Sequence, residues 1–204
     1  PAAAAVEVFH NFTLLHDDIM DNAAVRRGKP SVYAKWGQNV AILSGDAMLI
    51  CAYRLLGEVP AQLLPQILST FNTMALEVCE GQQYDMDFER KPKVSVVEYM
   101  HMIELKTSVL LAGATTIGAL LAISRADEPT REVLRSTHRS QMPDAEKIAT
   151  IKAVYDRLDI PRLTEQQISL RFERALGILD TLSVEKSRTE RMREYALSLM
   201  GRKN

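Results

Sequence analysis

The sequence predicts an all-α chain folded as one domain, and three observations carry that expectation. Apolar residues recur at three- and four-residue steps almost throughout, as in Ile168, Phe172, Ala175, Leu176, Leu179 and Leu182, which form one stripe. Helix starts are marked by capping boxes, Ser95 with Glu98, Thr164 with Gln167 and Ser187 with Glu190. In each, side chain and backbone satisfy one another's orphan donors. No segment alternates convincingly as a strand would, and neither an internal repeat nor a low-complexity tract interrupts the pattern.

Taken in order, the first helix is apolar on a broad face through Val6, Phe9, Phe12, Thr13, Leu14 and Leu15, and it ends in carboxylates. Pro60, Pro129 and Pro143 sit where first-turn prolines are tolerated. Ser95 opens a helix to Leu105, after which Lys106-Thr107 reads as a helix break. The longest apolar stretch, around Val109 to Ile123, contains Gly113, Thr115, Thr116 and Gly118 and falls short of the roughly 20 residues a membrane span needs. The expectation is a soluble protein with no transmembrane segment. The helix begun at Pro129 is expected to stop after barely two turns, where the text changes abruptly across Arg135-Ser136-Thr137-His138-Arg139-Ser140-Gln141-Met142. Asp156 and Asp159 read as a helix surface.

A chain of 204 residues falls in the one-domain range. Lys plus Arg at 25 nearly balance Asp plus Glu at 26, so no global field favours nucleic acid or an anionic membrane, and local clusters must carry any binding of charged ligands. Cys51 and Cys79 lack metal-ligand spacing and sit in apolar helical text, which suggests buried thiols in a reducing cytoplasm.

Chemistry concentrates in His16-Asp17-Asp18-Ile19-Met20-Asp21, followed by Arg26-Arg27-Gly28. On a helix Asp17 and Asp21 stack at i, i+4, and Asp18 lies about 100° round from Asp17. Like charges at that spacing repel by about 0.2–0.5 kcal/mol, so a counter-charge is called for. Oxygen-only ligands in an open cluster suit Mg²⁺, which keeps several waters and is completed by substrate phosphates. Arginines nearby hold the same polyanion through planar, bidentate hydrogen bonds. Apolar walls with charges at one end describe a pocket for a molecule with an oily tail and an anionic head.

The run His10-Asn11-Phe12-Thr13-Leu14-Leu15-His16-Asp17-Asp18-Ile19-Met20-Asp21 with Arg26-Arg27-Gly28-Lys29-Pro30 resembles the first aspartate-rich motif of the trans (E-type) polyprenyl diphosphate synthases. Gly45-Asp46, Gly81-Gln82 with Asp85, and Lys106-Thr107 follow in that family's order. The resemblance implies an isoprenoid synthase bundle of long antiparallel helices around a central substrate cavity, working as a homodimer.

It also implies roles. Mg²⁺ rests on Asp17 and Asp21, with Asp18 assisting. Arg26, Lys106, Thr107 and Gln82 serve the allylic prenyl diphosphate, and Asp85 or Gln82 positions the lysine or the substrate. His10 and Arg27 hold isopentenyl diphosphate. Phe12 and Thr13, five and four residues before the first aspartate, form the floor under the growing chain, consistent with a fifteen- or twenty-carbon product. His16 orients an aspartate or a helix contact.

Two family motifs are missing from the text: an upstream Lys and Arg motif, and a second aspartate-rich motif preceded by Phe-Gln. The expectation is therefore one isoprenoid synthase-like domain over 1–204, with residues lost before position 1 and between about 135 and 143. A class I terpene cyclase shares the aspartates, but Arg26-Arg27-Gly28 argues against it. A non-catalytic subunit of a heteromeric synthase would account for absent motifs. A di-iron carboxylate bundle would need Glu-x-x-His pairs, which the sequence lacks.

Overall fold

In the computed structural model, residues 1–160 are described, together with 162, 166, 169–170, 173, 176–177, 180–181, 190 and 193. The elements in chain order are α1 (Ala2–Met20), β1 (Val25–Arg26), β2 (Lys29–Pro30), α2 (Val32–Trp36), α3 (Gln38–Leu56), α4 (Leu64–Phe88), α5 (Val96–Ile103), a π-helical turn (Glu104–Ser108), α6 (Val109–Arg125), α7 (Glu128–Arg139) and α8 (Asp144–Arg157). Two compact units divide the chain, Pro1–Arg131 and Glu132–Asn204.

In the first unit α1 lies along α3. Ala2 and Ala5 of α1 and Ala52 of α3 are fully buried, small enough to let the helices approach closely. Phe9 then reaches the core and meets Phe71 of α4 edge-on, with ring centroids 5.2 Å apart. Ile67, Phe71, Met74 and Val78 step along α4 at three- and four-residue intervals, and Ile117 joins them from α6. Burying a ring such as that of Phe71 contributes about 3 kcal/mol. Gly113 of α6 makes room for Met74, whose sulfur lies 2.6 Å from where a Cβ would stand.

The Ser95–Glu98 capping box is present in full: Glu98 N–H donates to Ser95 Oγ, and the Glu98 carboxylate accepts from Ser95 N–H. The expected break at Lys106-Thr107 is instead the π-helical turn, a local widening through which the helix continues from α5 into α6. By length and composition alone Gln38–Leu56 and the 30-residue Val96–Arg125 are long and apolar enough to cross a membrane, a test that core helices of soluble proteins also pass. A strand pair also forms where the sequence showed none: Val25 pairs with Pro30 and Arg26 with Lys29, antiparallel, too short to display alternation.

Cys51 and Cys79 are free and exposed rather than buried, because each lies on the outward side of its helix. Helix α7 does not stop after two turns but runs 12 residues to Arg139. Within it the Ser136 hydroxyl donates back to the Glu132 and Val133 carbonyls, as serine does inside helices. In the second unit Pro143 caps α8, Asp156 is exposed on its last turn, and Asp159 follows at φ +57° beside Arg162, which pairs with it. The stripe from Ile168 to Leu182 and the capping pairs Thr164–Gln167 and Ser187–Glu190 lie largely outside the described residues.

Candidate active site

The last turn of α1 delivers Asp17 and Asp18, and Asp21 is its C-cap residue. The helix dipole places partial negative charge at this same end, so the carboxylates need cations from elsewhere. Two elements supply them. The hairpin turns at Arg27 (φ +51°) and Gly28 (φ +75°), both left-handed as a two-residue turn demands, and folds Arg26 back over α1. Ser31, 2% exposed, fastens the hairpin's exit: its hydroxyl donates to the Ala23 carbonyl at 2.5 Å and accepts from Ala34 N–H at 3.0 Å.

Arg26 Nε donates to Asp18 Oδ1 at 2.8 Å, its Nη2 lies 2.5 Å from the same oxygen, and Nη2 reaches Asp17 Oδ2 at 3.3 Å. The hydrogen bond to Asp18 holds the Arg26 guanidinium above its already high ordinary pKa. Asp18 itself is buried, 4% exposed.

Lys106, carried by the π-helical turn, donates to Asp85 Oδ2 of α4 at 2.5 Å and to Asp17 Oδ1 at 3.2 Å. Burial depresses its pKa, but the Asp85 hydrogen bond and the Asp17 charge outweigh it, so the ammonium stays protonated above its ordinary value. Partial desolvation, then the Asp17 charge, raises the pKa of Asp21. Residues from α1, the hairpin, α4 and the π-helical turn thus meet at one polar cluster.

The remaining candidates surround it. Gln82 Nε2 lies 3.7 Å from Met20 Sδ. Thr107 is exposed on the π-helical turn, and Arg27 is exposed in the hairpin turn. His10 is half-buried two turns before Asp17, and the Thr13 hydroxyl donates to its carbonyl at 2.8 Å. Phe12 sits between Phe9, at 5.7 Å, and the His16 ring, at 4.6 Å. His16 leans on α3, with Nε2 3.4 Å from the Ile42 carbonyl and 3.7 Å from Asp46. A Cβ on Gly45 would stand 2.2 Å from that nitrogen, which gives the Gly45-Asp46 pair its physical reason.

The model of the polyprenyl synthetase family matches residues 1–139. The chain belongs to that family, the trans-type prenyl diphosphate synthases. Its all-α bundle of long helices is the isoprenoid synthase fold. A solved geranylgeranyl pyrophosphate synthase is 34% identical with a TM-score of 0.58, over 100% of this chain and 81% of that one. A geranylgeranyl diphosphate synthase of Methanosarcina mazei is 51% identical over 124 residues, 59% of this chain and 38% of that protein. A short chain isoprenyl diphosphate synthase of Methanocaldococcus jannaschii is 43% identical over 136 residues, 66% of this chain and 41% of that protein. The chain thus spans well under half the length of these curated relatives.

In this chain the expected Asp17, Asp18, Arg26 and Lys106 form one contact network, whereas Arg27, Thr107 and His10 touch none of them through a described hydrogen bond. Among the described residues no three acidic, histidine or cysteine side chains already converge as a metal cage. Three features escaped the sequence reading. Ser31 shows only as a helix cap, the π-helical turn leaves no mark in the apolar period, and the Gly81-Gln82 motif does not announce the backbone that packs against its glycine.

Proposed function

We propose that the protein joins isopentenyl diphosphate head to tail to an allylic prenyl diphosphate. The observation that carries the reading is the Lys106 bridge between Asp17 and Asp85, with Arg26 across Asp17 and Asp18, which unites three motifs distant in sequence in one polar cluster.

The cations there are now held by carboxylates. In the proposed reaction Arg26 and Lys106 swing to the allylic diphosphate, with Thr107 and Gln82 adding hydrogen bonds, and offset the charge that builds as the carbon–oxygen bond breaks. His10 and Arg27 orient isopentenyl diphosphate so that its double bond faces the allylic carbocation, which lowers the entropic cost. The new carbon–carbon bond forms, and the released diphosphate takes the proton.

The residues present fit Mg²⁺. Asp17 and Asp21, with Asp18 assisting, offer only oxygen, Asp21 being exposed and Asp17 and Asp18 largely enclosed, and such an ion rests on one or two carboxylates with substrate phosphates completing its shell. When bound it supplies Lewis-acid stabilisation of the leaving diphosphate. Phe12, edge-on against His16, supports a floor that limits products to fifteen or twenty carbons. Exposed Val40, Leu43 and Ile50 on one face of α3 support a homodimer. The family match ending at residue 139 supports a lost segment near 135–143 that would carry the second aspartate-rich motif.

Incubation with isopentenyl diphosphate, an allylic diphosphate and Mg²⁺, read by mass analysis, tests the reading. Wild type should yield a prenyl diphosphate longer by five carbons or a multiple of five, and Asp17→Ala should yield none while its circular dichroism stays helical. Unchanged turnover in Asp17→Ala, or a wild type active only with another subunit, would overturn it.

A further inference from the structure

We propose that Gly81 is the positioning residue for Lys106: its missing side chain lets the π-helical turn close onto α4 and carry the lysine to the acidic end of α1. The proposal deepens the reading of Lys106 as an allylic diphosphate ligand and rests on it.

Gly81 lies buried in the middle of α4, where glycine disfavours the helix by about 1 kcal/mol relative to alanine. The contact explains its presence. A Cβ built there would stand 2.3 Å from Lys106 N and 2.7 Å from both Lys106 Cα and Leu105 C. These are backbone atoms, which cannot rotate aside as a side chain does. Restoring even a tight 3.4 Å contact requires the turn to withdraw by about 1 Å.

Asp85 lies four residues further along α4, one turn on and on the same face. One face of α4 therefore supplies both the gap that admits the Lys106 backbone and the carboxylate that catches its ammonium at 2.5 Å. The widened turn gives the segment a shape that α4 accepts only where it has no side chain. Displacing Lys106 by about 1 Å takes its charge away from Asp17 and Asp85 together, and a misplacement of that size can cost on the order of 10²-fold in a positioned reaction.

Gly113 provides the control. A methyl there also strains α6 against α4, but the atoms it meets belong to the flexible Met74 side chain, 2.6–3.0 Å away, and the polar cluster is not involved.

The test compares Gly81→Ala with Gly113→Ala by steady-state kinetics and crystal structures. Gly81→Ala should raise KM for the allylic diphosphate about tenfold or more while KM for isopentenyl diphosphate moves less than about threefold. Its crystal structure should show the Lys106–Asp85 contact broken. Gly113→Ala should keep both the KM ratio and that contact, even where its melting temperature falls. Equal changes in the two variants would reduce Gly81 to ordinary packing and overturn the proposal. Should Gly81→Ala not fold, the wild-type crystal structure with Mg²⁺ and inorganic diphosphate decides instead. The Lys106 backbone should stay against Gly81 while its ammonium swings to the phosphate, and a turn that lifts off α4 refutes the idea. If wild type binds no inorganic diphosphate yet only Gly81→Ala loses the Lys106–Asp85 contact, the positioning stands and the diphosphate reading falls.

Discussion

Replacing Arg26 by alanine should destabilise the fold by an amount that the geometry bounds. Asp18 is nearly enclosed, its side chain 6% exposed, and its Oδ1 faces both Nε and Nη2 of Arg26. Deleting the guanidinium strands a carboxylate at the negative end of α1, and breaking a buried pair in this way costs about 3–5 kcal/mol. Arg26 is itself 36% exposed, so water screens the pair and partly rehydrates what remains. The expected loss is about 2–3 kcal/mol. For a chain of 204 residues, each kcal/mol moves the melting temperature by about 2–4 °C, giving a fall of about 4–12 °C. Thermal unfolding followed by circular dichroism in metal-free buffer measures it. Asp18→Asn in the Arg26→Ala background removes the stranded charge and should recover part of the loss, with a coupling of about 1–2 kcal/mol. A melting temperature within about 1 °C of wild type for Arg26→Ala, or a cycle additive within about 0.5 kcal/mol, would refute the reasoning.

Two further outcomes are expected. The Asp21 carboxyl is raised above its ordinary 3.8 in the folded protein, so its ionised form opposes folding. That penalty grows as pH climbs through the ordinary and then the raised value, and is constant above both. Asp21→Asn should accordingly melt higher than wild type at neutral pH without metal, and the gap should close on acidification below 3.8; a pH-independent gap contradicts the linkage. Phe12→Ala removes the ring between His16 and Phe9 and should lengthen the prenyl product, and an unchanged product mass would place the floor elsewhere.

Much of the site was legible because its residues cluster locally in the text. The run from His16 to Asp21 with Arg26 announces charge that must be matched, and Lys106 and Asp85 were reached through the family's motif order. Helix starts were legible where side chains close local hydrogen bonds, as Ser95 and Glu98 do. What stayed hidden depends on neighbours. Apolar text around Cys51 and Cys79 marks a helix but not which side of it meets another helix. The polar residues at Lys106-Thr107 read as the end of a helix, although the helix runs on through them. The hairpin has two-residue strands, too short for any period, and is fixed by left-handed residues at its turn and by Ser31 behind it.

The irregular backbone of the first unit gathers around one charge problem. Three aspartates at the C-terminal end of a helix repel one another and the helix dipole, so nothing local favours their arrangement. Regular elements cannot easily bring two cations there. The left-handed turn at Arg27, a conformation that disfavours any residue with a side chain, lets Arg26 double back onto the helix it has just left. The π-helical turn, seated in the space left by Gly81, brings Lys106 from 89 positions away. Strained conformations persist when the surroundings over-determine them. Here the surroundings are the same carboxylates that, in the proposed reaction, give up their cations to diphosphate. A site assembled from opposing charges in this way carries its own counter-ions, and in the proposed reaction those are the cations that diphosphate takes over.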